Sequence, residues 1–142
     1  MRPFSREECL QFISEGCKTG KVATVRKDGR PHVAPIWFIL DGEVLVFTTH
    51  EDTLKGRTLK RDPRAMLSVD NEVFPFDFVL VEGVATLERL LPRSLVRWTA
   101  KIAARYVPKE YVESTAERNA VDGELLVRLE ISKMTGMADV AS

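Results

Sequence analysis

The chain has 142 residues, 44% of them apolar, and its 21 basic residues equal its 21 acidic ones. This composition suits one compact domain over 1–142, and the balanced charge argues against a general nucleic-acid binder. No apolar run approaches the roughly 18 to 20 residues of a membrane span, and the first residues lack the apolar core of a signal peptide. We therefore predict a cytoplasmic, single-domain protein without a nucleic-acid or membrane partner.

The residues that most often bind metals are few and widely spaced. Cys9 and Cys17 have no metal-ligand spacing and are expected to be free thiols. His32 and His50 are too far apart to indicate a ligand pair, so we interpret both as surface histidines. The chain also lacks a Gly-x-Ser-x-Gly elbow, which argues against hydrolase chemistry. We predict no metal site.

The first third of the chain predicts one helix followed by three strands. Ser5 and Glu8 have the spacing of a capping box and Gly16 can end the segment, so residues 6–15 form a predicted helix that covers the sheet. Alternating apolar residues and turn signals predict an antiparallel meander of three strands, at 21–26, 32–40 and 44–49.

The rest of the chain predicts further strands and two longer helical segments. A short helix should run from about Thr53 to Lys60, because Pro63 pushes Asp62 out of the helical region. After it we predict strands at 65–70 and 76–87, a helix at 92–106, another helix from near Pro108 and a strand at 125–131. About six antiparallel strands with few helices favour a closed or nearly closed barrel, since closure removes exposed edges. The predicted class is mainly β with flanking helices.

Pro35 interrupts a strand that is rich in apolar and aromatic residues. Proline cannot donate a ladder hydrogen bond, so it should lie at an edge or a bulge, where backbone groups are free. Those groups could meet the polar rim of a ring system, with Ile36 or Trp37 close to its face. A core strand with an edge proline is the alternative, and the residues alone leave both interpretations open.

A basic segment follows the strand that ends at Thr48 and Thr49. Its five basic residues oppose one acid, Asp62, and they are Lys55, Arg57, Lys60, Arg61 and Arg64. The segment starts near a helix N-terminus, where free N–H groups and the helix dipole favour an anion, so hydroxyls and a lysine could complete a phosphate site. A solvated helix face is the alternative, because the chain has no glycine-rich phosphate loop or dinucleotide fingerprint.

Aromatic residues outside these segments have structural interpretations as well. Trp98 and Tyr106, on the predicted 92–106 helix, are interpreted as core or subunit contacts. Phe74, Phe76 and Phe78 form a denser patch, which could serve as core, as a dimer interface or as a stacking wall.

Taken in order, these motifs resemble the flavin and deazaflavin oxidoreductases of the pyridoxamine 5'-phosphate oxidase-like, split β-barrel superfamily. The resemblance runs from about Lys21 to Leu87 and is weaker beyond. It rests on the order and spacing of Asp28-Gly29-Arg30-Pro31-His32, Pro35-Ile36-Trp37-Phe38, Phe47-Thr48-Thr49, Thr53-Leu54-Lys55-Gly56-Arg57, Leu59-Lys60-Arg61-Asp62-Pro63-Arg64 and Val81-Glu82-Gly83. The chain looks most like the branch that uses the deazaflavin coenzyme F-420. An FMN-binding type of split barrel is therefore the expected fold.

The resemblance implies a homodimer with cofactor sites in grooves between the subunits. The residues that fall where the family binds the cofactor phosphate are Thr48, Thr49, Lys55 and Arg57. The residues that fall along the cofactor ring are Ala34, Pro35, Ile36 and Trp37. Phe76 matches an aromatic position near the ring that the other subunit could supply.

The same resemblance leaves the identity of the cofactor open. Lys60, Arg61 and Arg64 are weaker candidates for the acidic oligoglutamate tail of F-420, and the two arginines could instead be structural ends of the helix turn. Thr53 departs from the family pattern, since some relatives have a basic residue there. This departure keeps FMN as an alternative to F-420.

The activity that the resemblance implies is an F-420-dependent oxidoreductase. Reduced deazaflavin would pass a hydride to an electron-poor small molecule. No acid–base pair stands near the proposed site, which fits chemistry carried by the cofactor while the protein binds and orients, so no catalytic residue is assigned. An FMN-dependent oxidase or reductase of the same fold, or a non-catalytic cofactor-binding protein, are the alternatives.

Overall fold

Eight strands and four α-helices form the protein in the computed structural model, which describes residues 1–142. The strands are β1 (Arg2–Pro3), β2 (Gly20–Val25), β3 (Pro31–Ile36), β4 (Ile39–Asp41), β5 (Val44–His50), β6 (Arg64–Asp70), β7 (Phe78–Glu88) and β8 (Glu124–Ala138). The helices are α1 (Arg6–Ser14), α2 (Leu54–Arg61), α3 (Pro92–Tyr106) and α4 (Val112–Asn119), with a single 3₁₀ turn at Lys109–Tyr111. The mainly β class with flanking helices is confirmed.

The strand count and two connections differ from the prediction. About six strands were predicted, and the two additional ones, β1 and β4, are two and three residues long, too short to show an alternating pattern. The predicted strand at 32–40 is broken at Trp37 and Phe38 into β3 and β4. The predicted three-stranded meander is therefore wrong, because β3 pairs with β2 whereas β4 pairs with β5.

All strands belong to one antiparallel sheet in the order β3-β2-β6-β7-β8-β5-β4, with β1 added on β8. The two edge strands, β3 and β4, follow each other in the chain, so residues 37 and 38 connect opposite edges of the sheet. Hydrogen bonding does not close the sheet there. Pro35 lies on the edge strand β3, as its missing donor predicts.

The inner face of the sheet contains the main core. Phe38, Phe47 and Leu129 are fully buried there, and helix α1 adds Cys9 and Ile13. The capping box of α1 forms as predicted: Ser5 Oγ accepts from the Glu8 N–H, and the Glu8 carboxylate accepts from the Ser5 N–H. Helix α1 thus covers the sheet where the sequence placed it.

Helices α3 and α4 form a second layer on the opposite face of β5 and β8. Val46 and Leu126 point to this opposite face, because they alternate along their strands with the residues of the inner core. Both are completely buried. Arg128 lies with its guanidinium 5.0 Å from the ring of Trp98 on α3, which joins β8 to this layer. None of the helices is long and apolar enough to cross a lipid bilayer.

Two strand boundaries also differ from the prediction. Strand β7 begins at Phe78 rather than at 76, because Phe76 has a positive φ of 73° that a strand does not accommodate. Strand β8 continues to Ala138, well beyond the predicted end at 131. Its last seven residues, from 132 to 138, mix polar, small and methionine side chains, so no clear apolar alternation marks them in the sequence.

Candidate functional site

The break between β3 and β4 sets two neighbouring aromatic side chains in different environments. Phe38 is fully buried, whereas Trp37 keeps 36% of its surface exposed. The indole of Trp37 stacks on the phenol ring of Tyr106, with 5.0 Å between ring centroids and 6° between ring planes. Trp37 therefore forms a partly open aromatic wall that is supported from behind by helix α3.

Helix α3 ends in two residues that fix this break. The Tyr106 hydroxyl donates to the Lys18 carbonyl at 2.8 Å and accepts from the Phe38 N–H at 3.1 Å. The Arg105 guanidinium donates to the carbonyls of Phe38 and Ile13, both at 2.7 Å. Partial burial lowers the pKa of Arg105 and raises the pKa of Tyr106. Tyr106 was interpreted as a core or subunit contact, and its role as the support of Trp37 was not predicted.

A cleft of about 310 Å³ opens beside Trp37. Five of its nine lining residues were predicted as cofactor contacts: Pro35, Ile36, Trp37, Thr48 and Lys55. The other four come from the α1–β2 loop, from helices α3 and α4 and from the start of β8: Thr19, Ile102, Asn119 and Glu124. The structure thus brings the predicted ring segment and part of the predicted phosphate segment to one place.

Strand alternation separates the two predicted threonines at the end of β5. Thr48 lines the cleft, whereas Thr49 points to the other side of the strand and is only 2% exposed. The Thr49 hydroxyl lies 3.2 Å from that of Thr53, which caps helix α2 by accepting from the Gly56 N–H at 3.0 Å. Thr49 therefore supports the helix start and is not among the residues that line the cleft.

Helix α2 begins close against the end of β5. A Cβ at Gly56 would collide with the His50 carbonyl oxygen, so glycine is required for this approach. The Thr53 hydroxyl also donates to the same carbonyl at 2.7 Å. The departure from the family pattern at position 53 thus has a structural role, because a basic side chain cannot cap the helix in this way.

Lys55 and Glu124 are the two charged side chains that line the cleft. Burial lowers the pKa of Lys55, and the Glu124 carboxylate opposes that shift. Burial also raises the pKa of Glu124, whereas Thr48, His50 and Lys55 lower it. Both groups are partly removed from water, so a charge that binds near them shifts the pKa of each one.

The remaining basic residues of the α2 segment point away from the cleft. Arg57 donates to the Asp52 carbonyl, and Arg61 donates to the Val25 carbonyl at the end of β2. Lys60 lines a separate depression together with Arg89. Arg64 pairs with Asp62 at 2.7 Å and holds the pKa of that carboxyl at about 2. The basic segment does not form one continuous anion-binding surface.

Two other predicted ring contacts lie outside the cleft lining. Ala34 is half-buried and pairs with Val22 in the β2–β3 ladder. Phe76 lies in the β6–β7 loop, is 41% exposed and meets Phe74 edge to face, with 6.0 Å between ring centroids. Neither residue contributes to the cleft within a single chain.

The family model described as pyridoxamine 5'-phosphate oxidase matches residues 5–137. The chain belongs to this family. The predicted resemblance and the split-barrel fold are therefore confirmed, and the sheet is open between β3 and β4. The fold is that of flavin-type oxidoreductases.

Solved structures with a similar fold cover nearly the whole chain. A conserved hypothetical protein from Mycobacterium tuberculosis is 22% identical with a TM-score of 0.78, covering 96% of this chain and 86% of its own. An F-420 reductase is 27% identical with a TM-score of 0.71, and the match covers 93% of this chain and 97% of the reductase. A FAD-binding protein from Mesorhizobium loti is 21% identical with a TM-score of 0.69, covering 95% and 93%. The first and third similarities show the fold alone.

The residues that the second layer and the start of β8 bring to the cleft were not predicted. Ile102 and Asn119 lie on α3 and α4, and no local motif marks them. Glu124 follows Gly123, and a glycine before a strand is a signal for a turn. Gly123 has a φ of +90° in the structure. The side on which the turn places Glu124 depends on the pairing of β8 with β5.

The two histidines are less exposed than predicted. His50 accepts from the Asp52 N–H at Nδ1 (3.1 Å), and its Nε2 lies 3.0 Å from the Asp122 carbonyl. His50 thereby joins the β5–α2 loop to the loop before β8. His32 is half-buried, and its Nδ1 has no hydrogen-bond partner. The structure contains no group of three or more His, Cys, Asp or Glu side chains that could hold a metal ion.

Proposed function

We propose that the cleft binds a flavin-type cofactor, with its ring along Pro35, Ile36 and Trp37 and its phosphate at Thr48 and Lys55. One observation carries the proposal: two sequence segments that were predicted separately, one for a ring and one for a phosphate, line the same cleft. The exposed part of the Trp37 indole suits the edge or face of a flat ring. The Lys55 ammonium suits a phosphate because charge-assisted hydrogen bonds are strong in a partly dry site.

We propose coenzyme F-420 as the cofactor and an electron-poor small molecule as the substrate. The similarity to an F-420 reductase over nearly its whole length supports this choice. The bound deazaflavin would supply the hydride. The chain's own residues would orient the ring, anchor the phosphate and exclude water, and no side chain is assigned as a catalytic residue.

A specific observation favours FMN as the second candidate. The acidic tail of F-420 needs cations beyond those that bind the phosphate, and the structure turns Arg61 and Arg64 toward other partners. Lys60 lies in a different depression from Lys55. The structure thus offers a long anionic tail fewer partners than the sequence predicted, and FMN has no such tail.

Equilibrium titration of the purified protein with F-420 and with FMN tests the proposal. Tighter binding of F-420, followed by oxidation of reduced F-420 in the presence of an activated alkene, is the expected result. Tighter binding of FMN would replace the cofactor and keep the fold. Tight binding without turnover across a broad panel of activated alkenes would indicate a non-catalytic binding protein. Absence of binding to both cofactors would exclude the proposed function.

We further propose that the functional unit is a cytoplasmic homodimer of this single-domain chain. The outer face of the β3-β2-β6-β7 part of the sheet exposes several large apolar side chains: Val25, Val33, Met66 and Val84. A contiguous exposed apolar face is typical of an interaction surface. We propose that Phe76 contacts the cofactor of the second copy, because the family resemblance matches it to an aromatic position near the ring.

The oligomeric state tests this part of the proposal. Light scattering coupled to gel filtration should give twice the mass of the chain. Val84→Lys should shift the protein toward the monomer, because a charge would then be buried in the interface. Val121→Lys is the matched control, since Val121 is similarly exposed but lies in the loop before β8. A monomeric wild-type protein would contradict the proposal.

A further inference from the structure

The proposed phosphate corner of the cleft contains a carboxylate that an anionic ligand would have to meet. Glu124 is the first residue of β8 and pairs with His50 across the β5–β8 ladder. It lines the cleft together with Thr48 and Lys55, and it is the one acid among the lining residues. A phosphate bound at Lys55 therefore meets one positive and one negative side chain.

The backbone around Glu124 holds it at this corner. Gly123 has a φ of +90°, and a Cβ at this position would collide with the imidazole of His50. The Gly123 carbonyl accepts from the Glu51 N–H at 2.9 Å, and the Glu124 N–H donates to the Val121 carbonyl at 3.1 Å. The start of β8 cannot retreat from the cleft without breaking these contacts.

Four charged or titratable groups act on Glu124 or line a depression with it. They are His50 on β5, Lys55 on α2, Arg89 in the loop after β7, and Asp122 in the loop before β8. Arg89 is paired with Glu51, and both ring nitrogens of His50 have partners. Lys55 is the cation that acts on Glu124 from within the cleft.

We propose that Glu124 opposes anion binding in the cleft, so that a phosphate-bearing cofactor binds there with the uptake of one proton by the Glu124 carboxyl. This inference rests on the proposed function. The proton comes from solvent, and the only bond formed is the O–H bond of the carboxyl group. A protonated Glu124 no longer repels the phosphate and can donate a hydrogen bond to it.

Partial burial of Glu124 favours this coupling between phosphate binding and protonation of its carboxyl group. Desolvation raises the pKa of Glu124, so protonation requires less energy than for an exposed glutamate. A bound phosphate would raise that pKa further, because a like charge disfavours the ionised carboxylate. The affinity for the phosphate should therefore fall as the pH rises from 5 to 8.

Titrations with FMN and with F-420, followed by fluorescence at pH 5 and pH 8, test the inference. Glu124→Gln should bind the phosphate-bearing cofactor about tenfold more tightly than the wild type at pH 8, with a much smaller advantage at pH 5. The comparison at each pH removes the contribution of the FMN phosphate, which itself titrates near pH 6. Glu130→Gln, at an exposed position of β8, is the matched control and should bind like the wild type.

A second measurement reports the proton directly. Calorimetric titration in two buffers of different ionisation enthalpy should show proton uptake by the wild type and a smaller uptake by Glu124→Gln. Riboflavin, which lacks the phosphate, should bind both proteins equally. Equal affinities and equal proton uptake for the two proteins would overturn the inference and leave the proposed function intact. If neither protein binds either cofactor, both the inference and the proposed function fail.

Discussion

The two walls of the cleft are held in place by different kinds of interaction. Lys55 is positioned locally: Thr53, two residues before it, caps helix α2 through the Gly56 N–H. Trp37 is positioned from a distance, because Tyr106 is 68 residues away from Phe38 and still accepts a hydrogen bond from its N–H. The position of Lys55 depends on a local capping interaction, whereas the position of Trp37 depends on how helix α3 packs.

The largest expected effect comes from removing Tyr106, which supports Trp37. Tyr106→Ala removes the ring that stacks on Trp37 and the hydroxyl that bonds Lys18 and Phe38. We expect a loss of about 3 kcal/mol in the free energy of unfolding, measured by urea denaturation, with a weaker near-ultraviolet circular dichroism signal. Tyr111→Ala, at an exposed tyrosine, should cost less than about 0.5 kcal/mol. Similar losses in the two variants would show that Tyr106 is not a specific support.

The second prediction compares the two ends of helix α2. Lys55→Ala should weaken cofactor binding by about 1.5 to 3 kcal/mol, because a charge-assisted contact to the phosphate is lost. Lys60→Ala removes the same type of side chain from a different depression and should change binding by less than about 0.5 kcal/mol. Equilibrium titration with the tighter-binding cofactor measures both. Equal losses would count against a phosphate at Lys55.

The third prediction concerns the local support of Lys55. Thr53→Ala removes the cap of α2 and should lower the free energy of unfolding by about 1 kcal/mol. Thr53→Ser keeps a hydroxyl that can cap the helix and should retain most of the stability. Thermal unfolding of the three proteins checks this expectation. An unchanged stability in Thr53→Ala would mean that the contacts of Gly56 with β5 suffice to hold the helix start.

The smallest expected effect lies just beyond the far end of α2. Arg64 holds the pKa of Asp62 at about 2, so the ion pair stabilises the fold above the unfolded-state pKa of roughly 3.9 and this contribution is lost as the pH falls toward 2. Arg64→Ala should return the Asp62 pKa toward its ordinary value, measured by carboxyl NMR titration. Arg93→Ala, on the exposed start of α3, should leave that pKa unchanged.

These contrasts show which parts of the site could be predicted. Five predicted residues line one cleft because their motifs are local and their strand ends converge. Thr48 and Thr49 were predicted as a pair, but strand alternation turns them to opposite sides, so only Thr48 lines the cleft. The basic residues after Lys55 were grouped by sequence, whereas helical geometry and acidic neighbours direct them to different partners.

The sequence by itself determined the mainly β class, the capping box of α1, the edge or bulge position of Pro35 and the family resemblance. Capping, turn chemistry and the constraints of proline act within a few residues, so a linear pattern records them. The tertiary structure decided that the chain crosses the open side of the sheet at Trp37, that α3 supports this crossing, and that Glu124 enters the cleft. These features depend on which distant strands and helices become neighbours, and side-chain pairings at such separations leave no periodic signal in one sequence.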